Sequence, residues 1–162
     1  RRVFSQLELQ PGEGCAIQLG PRSGAIGNIS IVWIPAWSRP TLEALRYAAT
    51  VSDRVIGVWV RPEDADGDLL RSQWQRSVGD DPRLELQILE SPYSSLITPF
   101  ADFVDAVEES DPDQTITIVM PMAIPRYRFD GLLLNQRGLN MRRSLDARRN
   151  RVFTLVRYYL PA

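Results

Sequence analysis

The sequence predicts an α/β fold: a five-stranded, mostly parallel sheet with helices on both faces, wound outward in both directions. Two observations carry this reading. Five segments, at 29–34, 54–60, 84–89, 115–120 and 152–160, read as strands, the first of them apolar apart from Ser30 and β-branched, as expected of a buried strand. Between them lie stretches whose apolar residues recur at three- and four-residue spacing, as on one-faced helices. Strands alternating with helices imply a parallel sheet, and right-handed crossovers distribute the helices over both faces.

Residues 1–28 are expected to be a lead-in, and 29–162 the α/β domain. In the lead-in, Val3, Phe4 and Leu7 suit one side of a short helix, and 15–19 a local strand. Pro11, Gly12, Gly14, Gly20, Pro21, Gly24 and Gly27 punctuate it as in a linker. The first strand of the domain is apolar apart from Ser30 and is stopped by Pro35. Ser38 is expected to cap the next helix, with Pro40 in its first turn and Leu42, Leu45, Ala48 and Ala49 facing inward. After the second strand, Pro62 opens an acidic stretch (Glu63, Asp64, Asp66, Asp68). A helix there carries Leu69, Leu70 and Trp74 to about Arg76. Gly79-Asp80-Asp81-Pro82 is a turn before the third strand. Leu96, Phe100, Phe103, Val104 and Val107 form a single stripe, on a helix beginning at Ser95 or Thr98. The fourth strand runs from Thr115 to Met120. A Pro-broken loop over 121–130 follows, then a helix over 132–146 that turns Leu134, Gly138, Met141 and Leu145 to the sheet.

At 162 residues the chain is long enough for one domain with a sizeable core. Its one cysteine, Cys15, rules out an internal disulfide and fits a reducing compartment. There is no histidine, and all nineteen basic residues are arginine. The commonest general base and metal ligand are therefore missing, as are Ser-His and Cys-His nucleophile pairs, Schiff-base lysines and a phosphate-binding lysine. A non-enzymatic role without catalytic residues or cofactor is expected. No apolar run approaches the ~18 residues of a membrane span. The acidic clusters at 63–68 and 108–113 lack the glycine and terminal glutamate of a calcium loop, so no metal site is assigned and both are expected to be solvated surface.

Charge is unevenly spread. Between Arg126 and Arg157 nine arginines meet two acids, whereas the rest of the chain has ten arginines and eighteen acids. Such asymmetry points to an anionic partner for the basic end, or to arginines paired with acidic helices elsewhere in the fold. In a doubly wound sheet, ligands bind beyond the carboxyl ends of the strands, where strand order reverses. The richest loops there are 90–95 and 120–130. Ser91, Tyr93, Ser94 and Ser95 offer hydroxyls near a helix N-terminus, suited either to an anion or to capping that helix. Arg126 and Arg128 can pair with phosphates, and Tyr127, Phe129 and Trp37 can stack on a base or plug the open end of the sheet. Asn135, Gln136 and Arg137 add donors on the first turns of the basic helix. No glycine-rich phosphate cradle follows any strand.

The segments Leu45-Arg-Tyr-Ala48, Leu89-Glu-Ser-Pro-Tyr93 and Leu134-Asn-Gln136, in this order among the strands, resemble the cytosolic C-terminal domain of APC-superfamily permeases, including KUP-type potassium–proton symporters. The resemblance implies a universal-stress-protein-like fold, and Arg1-Arg2 are then expected to follow the last membrane helix. Tyr93 is followed by Ser94 where the family has arginine, and Leu134 stands in place of its histidine. Residues 121–130 replace the glycine pattern of ATP-binding stress proteins. The resemblance implies a regulatory, dimerising domain on the cytoplasmic side of the membrane, joined to the transmembrane part of the same permease, with cyclic di-AMP as ligand. Its expected contacts are Ser91, Tyr93, Ser94, Arg126, Arg128, Asn135, Gln136 and Arg137, and no nucleic acid is expected as a partner. The alternatives are a nucleotide-free scaffold held on anionic lipid head groups by its arginines, and a free-standing ATP-binding stress protein.

Overall fold

The structure is a computed structural model, and it describes residues 27–91, 95–124, 145 and 151–159. Five strands form one sheet in the order β3-β2-β1-β4-β5. They are β1 (Asn28–Trp33), β2 (Arg54–Arg61), β3 (Leu84–Glu90), β4 (Thr115–Ile124) and β5 (Arg151–Tyr159). Every pairing is parallel. The helices are α1 (Arg39–Val51), α2 (Gly67–Ser77) and α3 (Ile97–Ser110).

Residue alternation along the strands builds two cores. Ile29, Ile31, Ile56, Val58, Ile116 and Ile118 pack against Phe100 and Val104 of α3 on one face. Val32, Val55, Trp59 and Val119 pack against Ala44, Leu45 and Ala48 of α1 and Leu70 and Trp74 of α2 on the other. β1, β2 and β4 are buried on both faces, as their continuous apolar runs require. Leu145 is helical and fully buried in the α3-side core, the place expected for it. The rest of the stretch 132–146 expected to form the basic helix, like residues 1–26, lies outside the described residues.

Local chemistry sets the helix ends. Ser38 occupies the N-cap position of α1 without a side-chain cap bond, because its Oγ meets Thr41 Oγ1 instead (3.2 Å). Thr41 Oγ1 bonds the Ala36 carbonyl oxygen at 2.7 Å. The acidic stretch after β2 begins with a turn, and α2 starts at Gly67. Asp66 caps it, its Oδ1 accepting from the N–H groups of Asp68 (2.9 Å) and Leu69 (3.3 Å). Asp66 is therefore a structural residue and not merely solvated surface. At the other end Gly79 turns the chain with φ of 69°, a conformation costly for any residue with a Cβ. Gly57 meets a different need. A Cβ there would lie 2.7 Å from Trp74 Cζ3, so the indole packs directly on the β2 backbone.

The amino end of the sheet is closed by polar groups that satisfy one another. Asn28 Nδ2 donates to Val51 O (3.2 Å) and Ser52 Oγ (2.8 Å), its Oδ1 accepts from Thr117 Oγ1 (2.7 Å), and Ser52 Oγ meets Ser30 Oγ at 2.6 Å. This ties the end of α1 to the first residues of β1 and β4.

Candidate functional site

The chain winds outward from β1 through β2 to β3, then crosses through α3 to β4 and β5 on the other side. Strand order thus reverses between β1 and β4, and the ligand-binding crevice of such a sheet opens at the carboxyl ends of these two strands. The backbone there has an unusual shape. β1 ends at Trp33, whereas β2 runs on to Arg61 and β4 to Ile124. Since Trp33 pairs with Val58, β2 projects three residues past the end of β1. The β1–β4 register ends at Val32 and Val119, yet β4 stays paired to β5 as far as Ile124 and Tyr159. Among the described residues this leaves a step one strand wide between β2 and β4.

The extension of β4 corrects the expectation that Pro121 breaks the strand. A proline cannot donate to a ladder, but it is tolerated where one side of the strand has no partner. Among the described residues β4 meets that condition just beyond the end of β1, and the strand continues through Pro121 paired to β5.

The loop between β3 and α3 borders the crevice. Ser91 is buried, and its Oγ donates to Ser95 O at 2.7 Å. Ser95 Oγ in turn accepts from the N–H of Thr98 at 3.4 Å and meets Thr98 Oγ1 at 3.2 Å. These hydroxyls serve the turn and the start of α3, the second of their two possible roles. Trp37 is occupied as well. Its ring lies 6.0 Å from that of Trp74, tilted by 55°, and it packs against the α1–α2 core. Tyr93, Ser94, Arg126, Tyr127, Arg128, Phe129, Asn135, Gln136 and Arg137 lie outside the described residues.

Two of the described arginines divide the basic end. Arg151 is buried, its side chain 3% exposed. It bonds Asp105, Glu108 (Nη2–Oε2 2.6 Å) and the Leu145 carbonyl oxygen (3.3 Å). Burial works to lower its pKa, but the hydrogen bonds it donates to Asp105 and Glu108 outweigh this and raise it. Glu108 is therefore not the solvated surface expected of its cluster, and Arg151 serves α3 rather than an anionic partner. Asp111, of the same cluster, pairs with Arg54 at 3.5 Å. Arg157, on β5, is exposed. Sequence reasoning allowed for arginines paired with acidic helices but did not single out Arg151, whose partners lie 43 and 46 residues away.

A surface groove of about 440 Å³ lies between α1, the end of α2 and the start of β3. Its two arginines, Arg46 and Arg83, are already bonded to Glu43 and Asp81, and it sits at the opposite end of the sheet from the step. Among the described residues no group of three or more acidic, histidine or cysteine side chains is placed to hold a metal ion.

An all-parallel, doubly wound sheet with its strand order reversing at β1/β4 defines a Rossmann-like α/β domain. Residues 27–158 match the family model described as the KimA potassium transporter C-terminal domain, and the chain belongs to that family. It is 24% identical over 135 residues to the potassium transporter KimA of Bacillus subtilis (strain 168). That alignment covers 82% of this chain but 22% of the relative, so the chain spans about a fifth of the curated protein it matches. No helix among the described residues is long and apolar enough to cross a membrane.

Proposed function

We propose that this chain is a non-catalytic regulatory and dimerisation domain on the cytosolic side of a potassium transporter, and that it senses cyclic di-AMP. The observation that carries this reading is family membership over 27–158, a range that takes in all five strands as far as Tyr158. The transmembrane part of the same transporter is its covalent partner. The crevice at the β1/β4 reversal supports a ligand role, since that is where a sheet of this winding receives small molecules. Dimerisation is supported by β5, an outer strand of nine residues on which Val152, Leu155 and Tyr159 are exposed. Among the described residues no strand pairs with the outer edge of β5, and an apolar edge of this length favours pairing with a second copy.

Calorimetric titration with cyclic di-AMP, with ATP in parallel, tests the sensing role. Micromolar or tighter binding of the cyclic dinucleotide alone is expected. Silence with both ligands, together with salt-sensitive binding to vesicles of anionic lipid, would replace sensing by membrane docking. Sedimentation equilibrium of Leu155→Asp tests the dimer, and a shift to monomer is expected.

A further inference from the structure

The groove between α1, the end of α2 and the start of β3 has an apolar lining and rim charges that already satisfy one another. Leu42, Leu45 and Ala49 fall at three- and four-residue spacing on α1 and form one wall. Val78, just past α2, and Leu84, the first residue of β3, complete the apolar lining. Leu45 is buried and the other four are half-buried. Arg46 bonds Glu43 at 2.7 Å and Arg83 bonds Asp81 at 2.8 Å, so neither arginine calls for an outside anion. About 440 Å³ of partly covered apolar space beside paired charges fits an uncharged, apolar segment of chain.

The chain itself brings such a segment to the groove. Gly27 O accepts from the N–H of Thr115 at 3.2 Å, and Asn28 Nδ2 donates to Val51 O at 3.2 Å. Residues before 27 therefore leave the sheet at its amino end, beside the last turn of α1, and Ala49 is two residues from Val51. Ser30 pairs with Val55 and Val55 with Leu84, which puts Leu84 two strand spacings, about 9.5 Å, from β1. Gly27 lies three residues before Ser30, about 10 Å along the strand. Residues 20–26 span about 23 Å when extended, more than the ~14 Å diagonal they have to cover. They include Gly20, Pro21 and Gly24, which suit a turn onto the α1 face. Residues 14–21 carry no charge, and an extended 15–19 turns Cys15, Ile17 and Leu19 to one side. The family match starts at residue 27, so this segment lies outside it.

We infer that residues 15–19 seat in this groove within the same chain, with Cys15, Ile17 and Leu19 against the wall of α1 and the start of β3. The groove is then an intramolecular docking site, and the α/β domain begins with Cys15. The seat is independent of any ligand at the carboxyl end of the sheet. It makes the second half of the lead-in part of the domain and not a free tether.

Cys15 is the chain's one cysteine, so it reports its own position. In the 162-residue chain a second cysteine is placed on the groove rim, by Arg46→Cys or Ser77→Cys, or away from it by Ser110→Cys. All three positions are exposed. Ser110 ends α3, at the same end of the sheet but on its other face, where the same tether can reach it. Oxidation with diamide in dilute protein is followed by intact mass. Disulfide formation is expected to be about tenfold or more faster at the two rim positions than at Ser110→Cys, because seating concentrates Cys15 at the groove alone. Adding Ile17→Asp sets a charge against the apolar lining and is expected to abolish that preference. Iodoacetamide labelling gives a second readout without groove substitutions. Cys15 of the unmodified chain is expected to react about tenfold more slowly than Cys15 of the Ile17→Asp chain, since the seat shields the thiol. Equal disulfide rates at all three positions, or equal labelling of the two chains, would overturn the inference. Disulfides that join two chains instead of closing one would assign the groove to a second copy and overturn it as well.

Discussion

The two ends of the sheet differ at their centre, although an ion pair, Arg61–Glu90, also joins β2 and β3 at the carboxyl end. At the amino end each strand begins among partners. Arg54 bonds Glu85 and Asp111, Arg83 bonds Asp81, and Arg151 bonds Asp105 and Glu108. Asn28, Ser30, Ser52 and Thr117 close the centre. At the carboxyl end the described strands finish at unequal lengths. Polar groups that satisfy each other hold the fold at one end, and the other end, where strand order reverses, is where the proposed ligand would sit.

The largest expected effect breaks the amino end. Arg151→Ala leaves Glu108 and Asp105 without their buried cation, and urea unfolding is expected to show a loss of about 3 kcal/mol, the lower end of the range because Asp105 keeps solvent contact. Arg157→Ala, at an exposed position of β5, is expected to stay within about 0.5 kcal/mol of the parent. Equal losses for the two would erase the contrast between clamp and surface. Next comes Asn28→Ala, which strips two acceptors and one donor of their partner and is expected to cost about 2 kcal/mol in the same measurement.

The strand core was legible because each buried strand is a nearly unbroken apolar run. Ile29, Ile31, Ile56, Ile116 and Ile118 lie where that pattern puts them. The end of β4 was not. Pro121 reads as a stop in isolation, and only the earlier end of β1, a fact of pairing between distant segments, makes a proline acceptable there. Arg151 was equally opaque. Within its own stretch it is one of nine similar arginines, and what distinguishes it is α3 folding over its strand. Ser91 was located correctly in the loop before α3, but its hydroxyl turns inward to Ser95 O, which no local spacing reveals.

Smaller effects sharpen the picture at the periphery. Asp66 caps α2 from the carboxyl side of β2, and Asp66→Ala is expected to lower stability by about 1 kcal/mol, less than Asn28→Ala. The smallest effect is one of pH. The side-chain hydrogen bond from Arg83, joined by its backbone N–H and its charge, holds the Asp81 carboxyl below its ordinary value. A carboxylate depressed in the folded state adds stability above its unfolded pKa of about 3.9, and that stability is lost as pH falls through the lower folded value. Urea midpoints of the parent and Asp81→Asn should therefore converge below about pH 4 and separate slightly above it.

Hydrogen–deuterium exchange of the intact chain, with and without saturating cyclic di-AMP, tests the division of the sheet most directly. Protection is expected to rise in peptides covering 33–38 and 120–124 and to stay constant in those covering 52–55 and 111–116. Ligand-induced protection confined to the amino end, or none in the two carboxyl-end segments while the ligand is bound, would contradict the account.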